Sequence, residues 1–196
     1  MRKIFYITLV VASIFFLAAC TQPWEQAYNQ GVKSFNEGNT EQARSSFLKA
    51  LEENPQLAEA YLNLGRIDIQ LADYASARDN TLKALSLLQE HKKTIRSGSS
   101  WTLQAALACN NMASIAFQEA LLIKENSTTD NDTHSRAGST TPMQTESGRS
   151  ESLDQTLEAA ETFIDEAEKW LDQALELDPS NETVLRNRRF IQKWRG

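Results

Sequence analysis

This chain of 196 residues holds few of the cysteines and histidines that most readily serve as nucleophile and base near neutral pH. There are two cysteines, Cys20 and Cys109, and two histidines, His91 and His134. A Cys109–histidine pair would be the smallest nucleophilic device available, a thiol beside a base that takes its proton. No third group presents itself to orient the base, and His134 lies in a tract of Ser, Thr, Asn, Asp and Gly. Nothing basic stands near Cys109 in sequence, and its neighbours "AALACNNMA" read as helix, so a buried small hydrophobe is the expected role. Metal-ligand spacings such as Cys-x-x-Cys or His-x-x-x-His are absent, as is a phosphate-cradling glycine loop. The sequence therefore predicts a protein that is not an enzyme, with no cofactor and no metal centre. Asn126, Asn131 and Asn181 each open an Asn-x-Ser/Thr sequon, a chance product of this composition.

Cys20 has a different setting. Arg2 and Lys3 precede an uncharged apolar run, residues 4–17, and then the small residues Ala18 and Ala19. That is the layout of a secretory signal. The stretch Leu17-Ala18-Ala19-Cys20 resembles the lipobox of bacterial lipoproteins. The resemblance implies cleavage after residue 19 and a diacylglycerol on the Cys20 thiol. It also implies a domain tethered to the inner or outer membrane of the cell envelope, in the periplasm or at the cell surface. An ordinary signal peptide and an uncleaved anchor helix are the alternatives. Removal of residues 1–19 leaves 18 basic against 26 acidic residues, a net charge of −8, which argues against nucleic acid as a partner. Cys109 would then be the one remaining thiol, so no intramolecular disulfide is expected.

The elements come from a repeat. "ARSSFLKAL" at 43–51 returns as "ARDNTLKAL" at 77–85, 34 positions later, with six of nine letters unchanged. A period of 34 belongs to helix–turn–helix repeats. With Trp24 as position 1, Gly31 falls at position 8, Ala43 at 20, Ala50 at 27 and Pro55 at 32. From Ala58, the next unit sets Tyr61 at 4, Leu64 at 7, Gly65 at 8, Ala77 at 20 and Ala84 at 27. The pattern resembles the tetratricopeptide repeat. Its small residues stand where antiparallel helices approach closest, so larger side chains there would push the backbones apart. Asn39, with Gln42 three residues on, and Asp73 are candidate helix caps. A third unit is split. "CNNMASIAF" at 109–117 resembles "YLNLGRIDI" at 61–69, but its partner helix, "AEKWLDQALELDP" at 167–179, comes after a 42-residue insertion. The helices flanking the insertion are expected at about 101–124 and from about 153. The tract 125–150 between them holds almost no apolar side chain and is expected to be disordered.

The expected fold is all-α: a right-handed α-solenoid of about three such units, roughly 24–57, 58–91 and 106–180, with the third split by the disordered insertion. An amphipathic helix at about 181–194 closes the stack, so residues 20–196 form one domain after the signal 1–19. The resemblance implies a concave face built from the first helix of each unit. It maps onto Tyr28 and Asn29, then Asn63, Arg66 and Gln70, then Asn110, Asn111, Ser114 and Gln118. Asn29, Asn63 and Asn111 share position 6, and a ladder of amides there can grip the backbone of an extended peptide. Family members that clamp a chaperone's terminal carboxylate need Lys and Asn where this chain has Tyr28 and Val32, so that mode is not expected. The predicted function is a membrane-anchored adaptor for an envelope protein or extended peptide. The alternatives are an accessory subunit of an envelope transport system, with a small-molecule pocket lined by Phe35, Ile69 and Phe117, and a self-associating structural lipoprotein. Residues 151–178 carry a net −9 and residues 181–196 a net +4, and neighbouring antiparallel helices are expected to pair these charges.

Overall fold

The computed structural model describes residues 22–90, 101–136 and 146–195. The signal segment, Cys20 and His91 lie outside the described residues. Among the described residues there are seven helices and no strand. They are α1 (Pro23–Asn36), α2 (Thr40–Glu53), α3 (Ala58–Gln70), α4 (Tyr74–Glu90), α5 (Trp101–Arg136), α6 (Glu146–Leu177) and α7 (Glu182–Arg195). The chain divides into two compact units, one ending at Ala60 and one beginning at Tyr61.

In the first unit α1 and α2 form an antiparallel pair. Ala43, Phe47 and Ala50 are fully buried. A Cβ added at Gly31 would lie 2.7 Å from the Phe47 ring, so the glycine is what lets the two helices close. In the second unit Gly65 plays the same part against α4, where an added Cβ would stand 2.5 Å from Thr81 Oγ1. The expected small residues of the later units, Ala77, Ala84, Ala113, Ala167 and Ala174, are likewise buried.

The turns repeat with the same register. Asn39 N–H donates to Ser34 O at 2.8 Å, and Asp73 N–H to Asp68 O at 2.9 Å, 34 residues later. Gly38 and Ala72 fill the matching left-handed position, with φ of 80° and 58°. Asp73 caps α4 through Ser76 N–H at 3.1 Å. Asn39 makes no side-chain cap, contrary to expectation; its backbone carbonyl alone receives Ala43 N–H.

The turn after the split unit's second helix matches the one that ends the first repeat. Asn54 N–H donates to Ala50 O, and Leu57 N–H to Asn54 O; Asp178 N–H donates to Ala174 O, and Asn181 N–H to Asp178 O. The same turn thus closes α2 and α6. One expectation fails. Residues 125–136 and 146–150 are helical, continuing α5 and opening α6, while 137–145 lie outside the described residues. Residues 125–136 contain neither Gly nor Pro; the nearest breaker is Gly138. Once a packed helix exists, each further residue adds one hydrogen bond without a new nucleation cost. Lack of apolar side chains therefore does not end it. Helix α5 is packed by α4, α6 and α7, which explains why residues 101–120 are apolar on nearly every side.

Candidate functional site

The residues expected to meet a partner divide between the two units. In the first, Asn29 is exposed on α1, while Tyr28 is half-buried with its ring against Phe47, centroids 5.6 Å apart. In the second, α3 presents Arg66 and Gln70 to solvent and Asn63 half-buried. Arg66 Nη1 reaches Asn63 Oδ1 at 3.5 Å, so the guanidinium lies along the amide.

Helix α5 treats its candidates differently. Asn111 is 7% exposed, and its amide donates to Leu62 O at 3.4 Å, across to α3. Asn110 is also buried and accepts a 2.8 Å bond from the Asn187 amide of α7. These two side chains join α5 to the helices on either side of it. Buried amides need such partners, since leaving one unmade costs about 1–3 kcal/mol. Ser114, one turn on, donates to Asn110 O at 3.0 Å and stays half-buried, as does Gln118. The surface available in this unit is therefore Asn63, Arg66 and Gln70 on α3 with Ser114 and Gln118 on α5.

Two features escaped the sequence reading. The first is an ion cluster holding α4, α5 and α6 together. Arg78 Nη1 meets Glu166 Oε1 at 2.7 Å and Arg78 Nη2 meets Glu119 Oε2 at 2.5 Å. Burial alone would raise the Glu166 carboxyl, but hydrogen bonds from Arg78 and Trp170 outweigh it and hold the group below the ordinary value. The second is a half-open cavity of about 570 Å³ between the same three helices, with Leu82, Ser86 and Gln89 of α4 at its exposed rim. Ile69 and Phe117, the expected lining of a small-molecule pocket, take no part in it. Phe117 packs edge-on against Phe190 and Trp194 instead. Cys109 is buried, and burial pushes its thiol up to about 11, so it is neutral at physiological pH.

The charge expectation for the C-terminal half holds in this geometry. Arg195 reaches Asp165 and Glu168, and Arg188 reaches Asp172 at 2.9 Å, so the basic helix α7 lies against the acidic α6. All three pairs are largely solvent-exposed and contribute little individually.

Comparison with known proteins agrees with this architecture. Residues 26–57 and 58–90 match the family model described as tetratricopeptide repeat. Among solved structures, the first tetratricopeptide domain of Spaghetti (RPAP3), bound to the HSP90 peptide SRMEEVD, is similar in fold, with a TM-score of 0.54 at 16% identity. The match covers 88% of this chain and 92% of that one. No curated protein matches the sequence significantly. Residues 26–90 are thus two consecutive tetratricopeptide repeats, in a chain whose described residues are all-helical and whose fold is similar to that of a tetratricopeptide domain.

Proposed function

We propose that the chain is an interaction adaptor of the bacterial cell envelope. It is tethered through a lipid on Cys20 and holds an envelope protein or an extended peptide against the α3–α5 face. The observation that carries the binding role is the solvent-facing polar strip on α3, Asn63 with Arg66 and Gln70, set on a rigid repeat scaffold. Side chains that donate and accept along a helix face suit the alternating N–H and C=O groups of an extended backbone. The similar domain of Spaghetti is bound to a peptide, which supports the same class of partner here. Asn110 and Asn111 act behind this surface as its supports.

The test is crosslinking capture from envelopes carrying the full-length chain, wild type against Asn63→Ala/Arg66→Ala. Loss of at least about tenfold in captured partner is expected, matching one or two hydrogen bonds to a charged or amide group. Undiminished capture removes this face from consideration. Anchoring is tested separately by metabolic labelling with an alkynyl fatty acid. Label that persists in Cys20→Ser overturns the lipid site while leaving the adaptor reading intact.

A further inference from the structure

The register leaves one slot of the split repeat underfilled. Position 4, Tyr61 in residues 58–90, is Cys109 in the third unit, with Ala105 one turn before it. Both small side chains line the 570 Å³ cavity. Leu82 and Leu85 of α4 and Trp170 and Leu177 of α6 supply its apolar walls. Trp101 also lines it, and its indole N–H donates to Leu88 O. The Trp170 N–H donates to Glu166 Oε1 at 3.1 Å. With both donors taken, the two rings offer the cavity their apolar faces.

Three polar groups complete the lining: Ser86 and the amides of Gln89 and Gln173. The Ser86 hydroxyl donates to Lys83 O at 2.8 Å and keeps acceptor capacity. Among the described residues, none of the lining side chains is ionised at neutral pH; the thiol is kept protonated by its burial. The described lining offers a charged ligand no counter-charge, while its aromatic and aliphatic walls favour an apolar one. The size, the aromatic and aliphatic walls and the few convergent polar groups are those of small-molecule sites.

We propose that this cavity binds an uncharged, mainly apolar small molecule, with one polar end met by Ser86, Gln89 or Gln173. The site is separate from the α3 face. Helix α3 contributes nothing to the lining, and Cys109 and Asn111 stand about 200° apart around α5 at 100° per residue. Both sites can be filled at once.

The probe is N-phenyl-1-naphthylamine, an uncharged aromatic dye, titrated against the full-length chain in lipid nanodiscs with empty nanodiscs as background. A saturable one-to-one signal above the linear partition background is expected. Cys109→Trp, which restores a large aromatic to the slot, is expected to abolish that signal with no loss of helicity. Ser86 is exposed, so Ser86→Trp cannot disturb the core; it is expected to weaken binding at least tenfold, and it carries the test if Cys109→Trp does not fold. Asn63→Ala/Arg66→Ala leaves dye binding unchanged, which separates this site from the adaptor face. A wild-type signal no greater than empty nanodiscs, or full binding by Ser86→Trp and a folded Cys109→Trp, overturns the proposal.

Discussion

At the residue scale, the asparagines show how one side-chain type serves two ends. Asn63 stands at the surface of α3, while Asn110 and Asn111 are buried and bonded to Asn187 and Leu62. Position 6 alone does not separate these cases; the neighbouring helices do. The capping helix α7 and helix α3, on either side of α5, cover its amides. Cys109 offers a sharper prediction. Its thiol is raised to about 11 by burial, against 9.0 for the ordinary group. The folded state thus binds the proton more tightly than the unfolded chain. The resulting contribution is intact below pH 9 and is lost as pH climbs toward 11. Denaturant midpoints of wild type and Cys109→Ala, taken from pH 8 to 11, are expected to converge or cross, with wild type losing more. Parallel curves would contradict the buried thiol.

At the element scale, the repeated turn uses a glycine once and an alanine once. Gly38 adopts φ 80° freely, and an added Cβ there would meet nothing within 4 Å. Ala72 holds φ 58° in the equivalent turn, where a Cβ crowds its own backbone. Ala72→Gly is expected to stabilise the protein by about 0.5–1 kcal/mol, the relief of left-handed strain less the added freedom of the unfolded chain. Urea denaturation measures it, and a destabilised variant would show that Ala72 is not strained. The same scale explains the extension of α5 beyond residue 124. Sequence polarity says what a segment can bury, but a helix already anchored by packing continues until a breaker stops it.

At the scale of the whole molecule, the Arg78 cluster joins residues 88 apart in sequence and binds the split unit to the repeat before it. Replacing Arg78 by Met leaves two half-buried carboxylates without their cation, at a cost of about 1–3 kcal/mol near neutral pH. Glu166 is held below the ordinary 4.5 in the folded state, so its pairing stabilises fully above that value and is lost as pH falls below it, through the lowered folded-state value. The gap between wild type and Arg78→Met is therefore expected to be widest at pH 7 and to narrow below about pH 4. Thermal unfolding across that range checks it; a gap independent of pH would assign the effect to packing alone.

The 34-residue period, the small residues at its fixed positions and the turn signals at Asn54-Pro55 and Asp178-Pro179 determined the repeat fold and the equivalent turns that close α2 and α6. These are local or evenly spaced signals, each tied to one backbone requirement, so a single sequence displays them. Contacts between distant segments were decided only by the tertiary structure. The pairing of Asn110 with Asn187, the meeting of Arg78 with Glu119 and Glu166, and the cavity beside Cys109 each require two or three helices to arrive at one place. No spacing within one helix encodes that meeting, because the partners are brought together by packing of the whole unit.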